Sequence, residues 1–310
     1  MNVSPALAVD LCPRCPGALV LQNPVMPASG TFGYGTEYAD LVDIQRLGAV
    51  VTKGVTLVPW QGNPQPRIWE TASGMLNSIG LENIGVGEVV NAKAPMWSSW
   101  GVPVIVNIAG HTVREYAEVA RRLDGVPGVA ALEVNISCPN VSAGGIEFGV
   151  NPAAAAEVTS CVRAETSLPL IVKLSPNVSD ITQIALAIVD AGADALCVAN
   201  TLRGTAIDIQ RRAFRLGRPV GGLSGAAIKP VALHLVNRVA AVVSVPIIGC
   251  GGIMTHEDAL EFILAGASAV QVGTATFTDP GSMMHIIHGL DAFIRTHGIQ
   301  HLAELRGSVH

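Results

Sequence analysis

Residues 132–140 read Leu-Glu-Val-Asn-Ile-Ser-Cys-Pro-Asn, a short apolar run that passes into a polar loop carrying a thiol. Asn135, Ser137 and Asn140 surround Cys138, and Pro139 ends the strand by removing a backbone donor. A thiol placed just past a buried strand, among amides and a hydroxyl, has the chemistry of a base or nucleophile. A free cysteine also packs readily as a small hydrophobe. On this stretch alone both readings of Cys138 stand. The Ser142-Ala143-Gly144-Gly145 run that follows has the composition of a loop able to cover whatever the thiol faces.

Other apolar runs end in the same manner. Ser29 follows one, Lys53-Gly54 follows a second, and Asn107, Asn135 and Lys173 close three more, while Ala199-Asn200-Thr201 ends a sixth. The chain has four lysines, and two of them terminate apolar runs. A lysine can reach solvent from a strand end, but a pair so placed also suits a site that binds anions. Two later runs end in Gly249-Cys250-Gly251-Gly252 and Gly273-Thr274, and Gly221-Gly222-Leu223-Ser224-Gly225 precedes the intervening helix. Glycine lets backbone approach a ligand closely, and successive N–H groups can cradle a phosphate.

These residues need elements to hold them. The candidate strands are Pro24–Ala28, Ala49–Thr52, Val104–Ile108, Ala131–Asn135, Leu170–Lys173, Ala195–Ala199, Pro246–Gly249 and Ala269–Val272. They are short continuous apolar runs, as in a parallel sheet covered on both faces. Helical patterns lie between them. Thr112 with Glu115 predicts a capping box ahead of Val113, Tyr116, Ala120 and Leu123. Ser179 predicts a cap for a helix with Ile181, Ile184, Ala185 and Ile188 on one face, and Thr255 with Asp258 opens another. Eight strands alternating with helices predict an α/β fold, a (β/α)8 TIM barrel spanning 1–310 as a single domain. Its insertions, 54–101 and 201–223, leave the carboxyl-end rim, where barrel enzymes build their sites. Loops after the seventh and eighth strands commonly hold a phosphate, so a phosphate-bearing ligand is expected, and a flavin fits the lysines and amides around it.

Composition narrows the classes. The chain is 49% hydrophobic and 14% charged with net charge -5, which favours a large core and argues against nucleic-acid binding. No basic amino-terminal region with an apolar run, and no run of membrane-spanning length, is present, so a cytoplasmic protein is expected. Six scattered cysteines do not form a disulfide framework. A Gly-x-Gly-x-x-Gly after a strand is lacking, so no nicotinamide-binding unit is expected in this chain.

The chain resembles the class 1 dihydroorotate dehydrogenases from about Pro24 to Thr274. The resemblance rests on Asn23-Pro-Val-Met-Pro-Ala-Ser-Gly30, Thr52-Lys53, Gly62-Asn-Pro-Gln-Pro-Arg67, Asn77-Ser-Ile-Gly-Leu81, Asn135-Ile-Ser-Cys-Pro-Asn140 and the paired glycine loops. Thr31-Phe-Gly-Tyr-Gly35 and Ser73-Gly-Met-Leu-Asn77 look like the class 1B branch, whose catalytic subunit works with an electron-transfer partner. The resemblance implies FMN held by Ser29, Lys53, Gly54, Asn107, Asn135, Lys173, Ala199, Gly225, Gly251, Gly252, Gly273 and Thr274. It implies a dihydroorotate site made by Lys53, Asn77, Ser78, Ile79, Gly80, Leu81, Asn135, Asn200 and Thr201, with Cys138 as the base. It further implies a homodimeric core joined to a subunit carrying FAD and a [2Fe–2S] cluster, a heterotetramer that passes electrons to NAD. A stand-alone fumarate-reducing form, a flavin barrel acting on uracil-like pyrimidines, and a non-redox phosphate-binding barrel remain as alternatives.

Two features fall outside that pattern. Cys12-Pro-Arg-Cys15 stands where the family has a plain short hairpin, and reads as half a metal site, a redox pair or an exposed pair in a variable turn. His285 and His288 lie one turn apart on the last helix and are expected at the surface.

Overall fold

In this computed structural model, residues 4–15, 17–137 and 148–309 are described. Eight apolar runs form parallel strands: β1 (Val25–Pro27), β2 (Val50–Val51), β3 (Val104–Ile108), β4 (Ala131–Asn135), β5 (Leu170–Lys173), β6 (Ala195–Val198), β7 (Ile247–Cys250) and β8 (Ala269–Val272). The sheet order is β1-β8-β7-β6-β5-β4-β3-β2, so each strand from β2 onward lies beside its neighbours in sequence. β1 and β2 close the ring where Gly48 N donates to Val25 O at 2.8 Å. A Cβ at Gly48 would overlap the Asn23 carbonyl, so glycine is what permits that approach. The structure is therefore the expected (β/α)8 barrel. Four strands have the expected ends; β7 begins one residue late because Pro246 has no N–H to give the ladder.

Helix starts follow local chemistry, with two corrections. Thr112 caps Val113–Leu123 by accepting from Glu115 N, but the Glu115 carboxylate takes the N–H of His111 rather than that of Thr112, so the box is not reciprocal. Asp180, not Ser179, caps Ile181–Asp190: its carboxylate accepts from Thr182 N and Thr182 Oγ1 at 3.0 and 2.7 Å. An ionised acceptor one residue nearer the helix displaces the hydroxyl, and such a cap stabilises by about 1 kcal/mol. Thr255 and Asp258 do form the reciprocal box.

Two apolar layers result. One lies between strands and helices and includes Tyr116, Ile184, Ile188, Phe262 and Ile286. The other fills the barrel itself with Met26, Val51, Ile105, Ile171 and Ile248, and is sealed at the amino end by Leu11, Cys12, Leu19 and Leu21. Those sealing residues belong to or flank an antiparallel pair, Val9–Asp10 with Val20–Leu21. Cys12 is thus fully buried, against the expectation of an exposed pair, while Cys15 is exposed, and both are free thiols. Burial, reinforced by the negative Asp194, pushes the Cys12 thiol up to about 12. Among the described residues, no group of three or more His, Cys, Asp or Glu gathers as a metal site. His285 and His288 are exposed. No helix among the described residues is long and apolar enough to cross a membrane.

The two insertions meet over the barrel mouth. Ile68–Thr71 and Gly74–Asn77 from the first, and Leu202–Gly204 and Gly221–Ser224 from the second, form one four-stranded antiparallel sheet. Gly222 pairs with Asn77 and Leu223 with Leu76, which joins segments 145 residues apart into one wall.

Candidate active site

Side chains alternate along each strand, so every second residue points into the barrel. Near the amino end these inward positions are Ile105, Ala131, Ile171, Ala195 and Ala269. Two residues further on they become Asn107, Glu133, Lys173, Cys197 and Gln271, with Cys250 on β7; all six are buried. Burying a lone ammonium or carboxylate costs several kcal/mol, so these groups must satisfy one another.

They do so through Gln271. Its amide oxygen accepts from Lys173 Nζ at 2.9 Å and from Cys197 Sγ at 3.2 Å, and its amide nitrogen donates to Glu133 Oε2. Glu133 Oε1 accepts from Asn107 Nδ2 at 2.7 Å. Both carboxylate oxygens thus receive amide protons, the pattern of an ionised acceptor. Lys173 Nζ also reaches Ser29 Oγ at 3.4 Å and Cys250 Sγ at 3.7 Å. Burial opposes the lysine charge, but the facing Cys197, Cys250 and Glu133 outweigh it, and the ammonium is held above its usual range. Burial pushes the Cys197 thiol well above the ordinary thiol value, so it stays neutral beside Lys173. Cys250 is pulled down to about 7, first by the neighbouring Cys197 and, against burial, by the lysine charge.

Above this layer opens a cavity of about 590 Å³, within the usual range for small-molecule sites. Every expected site residue among the described ones lines it. Ser29, Lys53, Gly54, Asn107, Asn135 and Lys173 come from β1 to β5 or the turns just after them. Ala199, Asn200 and Thr201 follow β6, Gly225 precedes a helix, and Gly251, Gly252, Gly273 and Thr274 follow β7 and β8. Asn77, Ser78, Ile79, Gly80 and Leu81 come down from the first insertion. Cys138 and the Ser142–Gly145 run lie outside the described residues.

One end of the cavity is a backbone cradle. Gly225, Gly251 and Gly252 adopt φ of 91°, 133° and 78°, a region closed to most side chains. A Cβ on Gly252 would press on Lys229 N at 2.7 Å and Gly225 O at 2.8 Å. The N–H groups of Gly251, Gly252 and Thr274 find no acceptor among the described residues, which suits an anionic ligand. Elsewhere on the wall Asn107 Oδ1 is buried without a partner, an acceptor whose desolvation a bound N–H donor would offset. A ligand with a phosphate at one end and a polar ring edge at the other, as in FMN, fits this donor and acceptor set.

The opposite side is amide-rich. Ser137 Oγ donates to Asn135 Oδ1 at 2.8 Å and accepts from Asn200 Nδ2 at 2.6 Å, and Asn200 Oδ1 accepts from Thr201 N at 2.8 Å. These bonds fix both amides and leave Asn135 Nδ2 without an acceptor among the described residues. Gly222 must lack a side chain here, since a Cβ would overlap Thr201.

Several site residues escaped the sequence reading. Glu82 sits on the cavity wall, pairing with Arg67 at 3.1 Å and Lys53 at 3.3 Å. Arg67, first, and Lys53 hold its carboxyl below the usual range. Nothing in the sequence links these three positions; the first insertion folds them together. Glu133 and Gln271 were readable, because each lies two residues before a rim position, Asn135 and Gly273, inside an otherwise apolar run. Ser137, Asn177 and Cys250 also line the cavity.

Fold and cavity together define a (β/α)8 barrel with a ligand-sized cavity at the carboxyl ends of its strands. The chain belongs to the dihydroorotate dehydrogenase family, whose model matches residues 11–294. Within it, the chain is 54% identical to the dihydroorotate dehydrogenase B (NAD(+)), catalytic subunit, of Geotalea uraniireducens over 305 residues, 98% of each chain. It is also 54% identical to the protein of that name from Trichlorobacter lovleyi over 307 residues, 99% of each. The counterpart in Desulforamulus reducens is 55% identical over 294 residues, covering 95% of this chain and 97% of that one. The class 1B resemblance of the sequence motifs agrees with these relatives.

Proposed function

We propose that this cavity binds FMN and (S)-dihydroorotate and that the chain oxidises the latter to orotate in pyrimidine biosynthesis. The observation that carries the reading is one cavity with an unpartnered N–H cradle at one end and a lysine and fixed amides at the other. The residue-by-residue resemblance and the near full-length relatives support it. Bound FMN would supply the hydride acceptor for C6 of the substrate.

The chain's own residues do the rest. Gly251, Gly252 and Thr274 bind the phosphate, with Gly225 and Gly273 allowing its close approach. Lys173 holds positive charge beside the ring, and Asn107 Oδ1 accepts a ring N–H. Lys53 takes the substrate carboxylate together with the backbone from Asn77 to Leu81, whose left-handed Gly80 and Leu81 (φ 76° and 61°) turn the chain over the site. Asn135, Asn200 and Thr201 orient the pyrimidine. Cys138, next in sequence to the cavity-lining Ser137, takes the C5 proton as a thiolate. The relatives' names call each a catalytic subunit, which supports a partner subunit on a homodimeric core; the FAD and [2Fe–2S] cluster of that partner would supply the route for electrons to NAD.

The test is the visible spectrum of the purified chain before and after anaerobic dihydroorotate. Bleaching of a bound flavin is the expected result. A yellow protein that stays oxidised overturns the substrate, and a colourless chain that ignores added FMN overturns the cofactor.

A further inference from the structure

Asn107 presents the cavity with a buried oxygen that has no partner, although an amide can equally turn its NH2 that way. Glu133 prevents the turn. Lys173 Nζ can only donate, so Gln271 must give it the amide oxygen and send its NH2 to Glu133 Oε2. With Lys173 charged at the far end of Gln271, Glu133 is the counter-charge of the layer, and its oxygens can only accept. The other oxygen, Oε1, takes Asn107 Nδ2 at 2.7 Å, which leaves Asn107 Oδ1 for the cavity. Asn107 is only 1% exposed and lines that cavity. Glu133 is fully buried and is not among the described residues that line it. Gly54 keeps the oxygen clear: its backbone is not left-handed, yet a Cβ there would stand 3.0 Å from Asn107 Oδ1.

We propose that Glu133 is a positioning residue that fixes the hydrogen-bond polarity of the cavity wall, holding Asn107 so that the ligand meets an acceptor there and must bring an N–H donor. The ligand class this selects is a planar ring with an imide or lactam N–H. A ring whose matching edge carries only lone pairs or an N-alkyl group leaves the buried oxygen desolvated and unpaired, and is disfavoured. Oxidised isoalloxazine has one ring N–H, the imide at N3, so Glu133 orients the pyrimidine end of FMN through Asn107. That last step rests on the proposed function; the amide polarity does not. Glu133→Gln places an NH2 where a carboxylate oxygen stood. Asn107 then turns to accept from it, and its own NH2 meets the ligand N–H, donor against donor. Glu133 also neutralises Lys173, but any effect by that route is independent of Asn107, so the two are separable.

The experiment begins with the full isotope-labelled chain, stripped of cofactor, in which NMR follows exchange of the Asn107 side-chain NH2 with water; Asn107→Ala identifies the resonance. An NH2 turned onto buried Glu133 is expected to exchange at least about tenfold more slowly than exposed side-chain amides. Exchange as fast as theirs overturns the proposal. This arm needs neither FMN nor a folded Glu133→Gln. FMN is then titrated by flavin fluorescence into the stripped parent, Glu133→Gln, Asn107→Ala and the double variant. Glu133→Gln is expected to raise Kd at least about tenfold in the parent, and to cost at least about threefold less where Asn107 is already Ala. Equal losses in the two backgrounds overturn the proposal. FMN methylated at N3 is expected to bind the parent at least about tenfold more weakly than FMN, and equal binding overturns it too. Slow NH2 exchange in a chain that ignores FMN keeps the polarity assignment and discards the cofactor.

Discussion

Replacing Glu133 by Gln isolates the worth of the buried charge pair. The two side chains have the same shape, so no cavity opens and no packing is lost. Hydrogen bonding can also be restored: one carboxylate oxygen becomes an NH2, and Asn107, whose Oδ1 has no partner, can turn its amide to accept from it. What cannot be restored is the negative charge that Gln271 relays to Lys173. An ammonium left buried without its counter-charge costs about 3–5 kcal/mol, against a total stability of about 5–15 kcal/mol. We expect Glu133→Gln to lose that amount in urea denaturation, and about 6–10 °C of melting temperature at roughly 2 °C per kcal/mol. The double variant Glu133→Gln, Lys173→Met is expected to recover at least about 2 kcal/mol of it, since removing both charges is far cheaper than stranding one. A single variant within about 1 kcal/mol of the parent refutes the reasoning, as does a double variant that loses the sum of the two single changes.

Four further outcomes follow from the same geometry. Cys138→Ala should slow flavin reduction by dihydroorotate about 10²–10⁴-fold, the usual contribution of a positioned base, with the FMN spectrum intact; stopped-flow absorbance decides it. Gly252→Ala should weaken FMN at least about tenfold, because its Cβ meets two backbone atoms and its φ is left-handed; titration of the stripped chain measures this. Glu82→Gln frees Lys53 from a half-exposed ion pair worth about 0.2–1 kcal/mol, so KM for dihydroorotate should fall by roughly 1.5–5-fold with little change in kcat. Stability should decline between about pH 9 and 12. There Cys12, raised to about 12, stays protonated in the fold while the unfolded chain releases its proton. The slope is up to about 1.4 kcal/mol per pH unit, and Cys12→Val should flatten the urea-midpoint profile over that range.

The strands, their order and the residues at their carboxyl ends were legible in the sequence because each belongs to one short segment. Continuous apolar runs mark strands covered on both faces, and Lys53, Asn107, Asn135 and Lys173 stand where those runs stop. What such runs conceal is which side faces the barrel, since both sides are apolar; only the closed sheet showed that Glu133, Gln271, Cys197 and Cys250 share one polar layer with Lys173. Helix caps were readable to within a residue, and Asp180 displaced Ser179 because the competition between two acceptors is settled by backbone geometry. Cys12 looked like part of a surface turn, yet the fold uses it to seal the barrel's amino end. The pairing of Glu82 with Lys53 and Arg67, and the sheet that joins Asn77 to Gly222, depend on contacts between distant segments. Local propensity carries no record of such contacts, so the tertiary structure alone decided which charges face each other across the cavity.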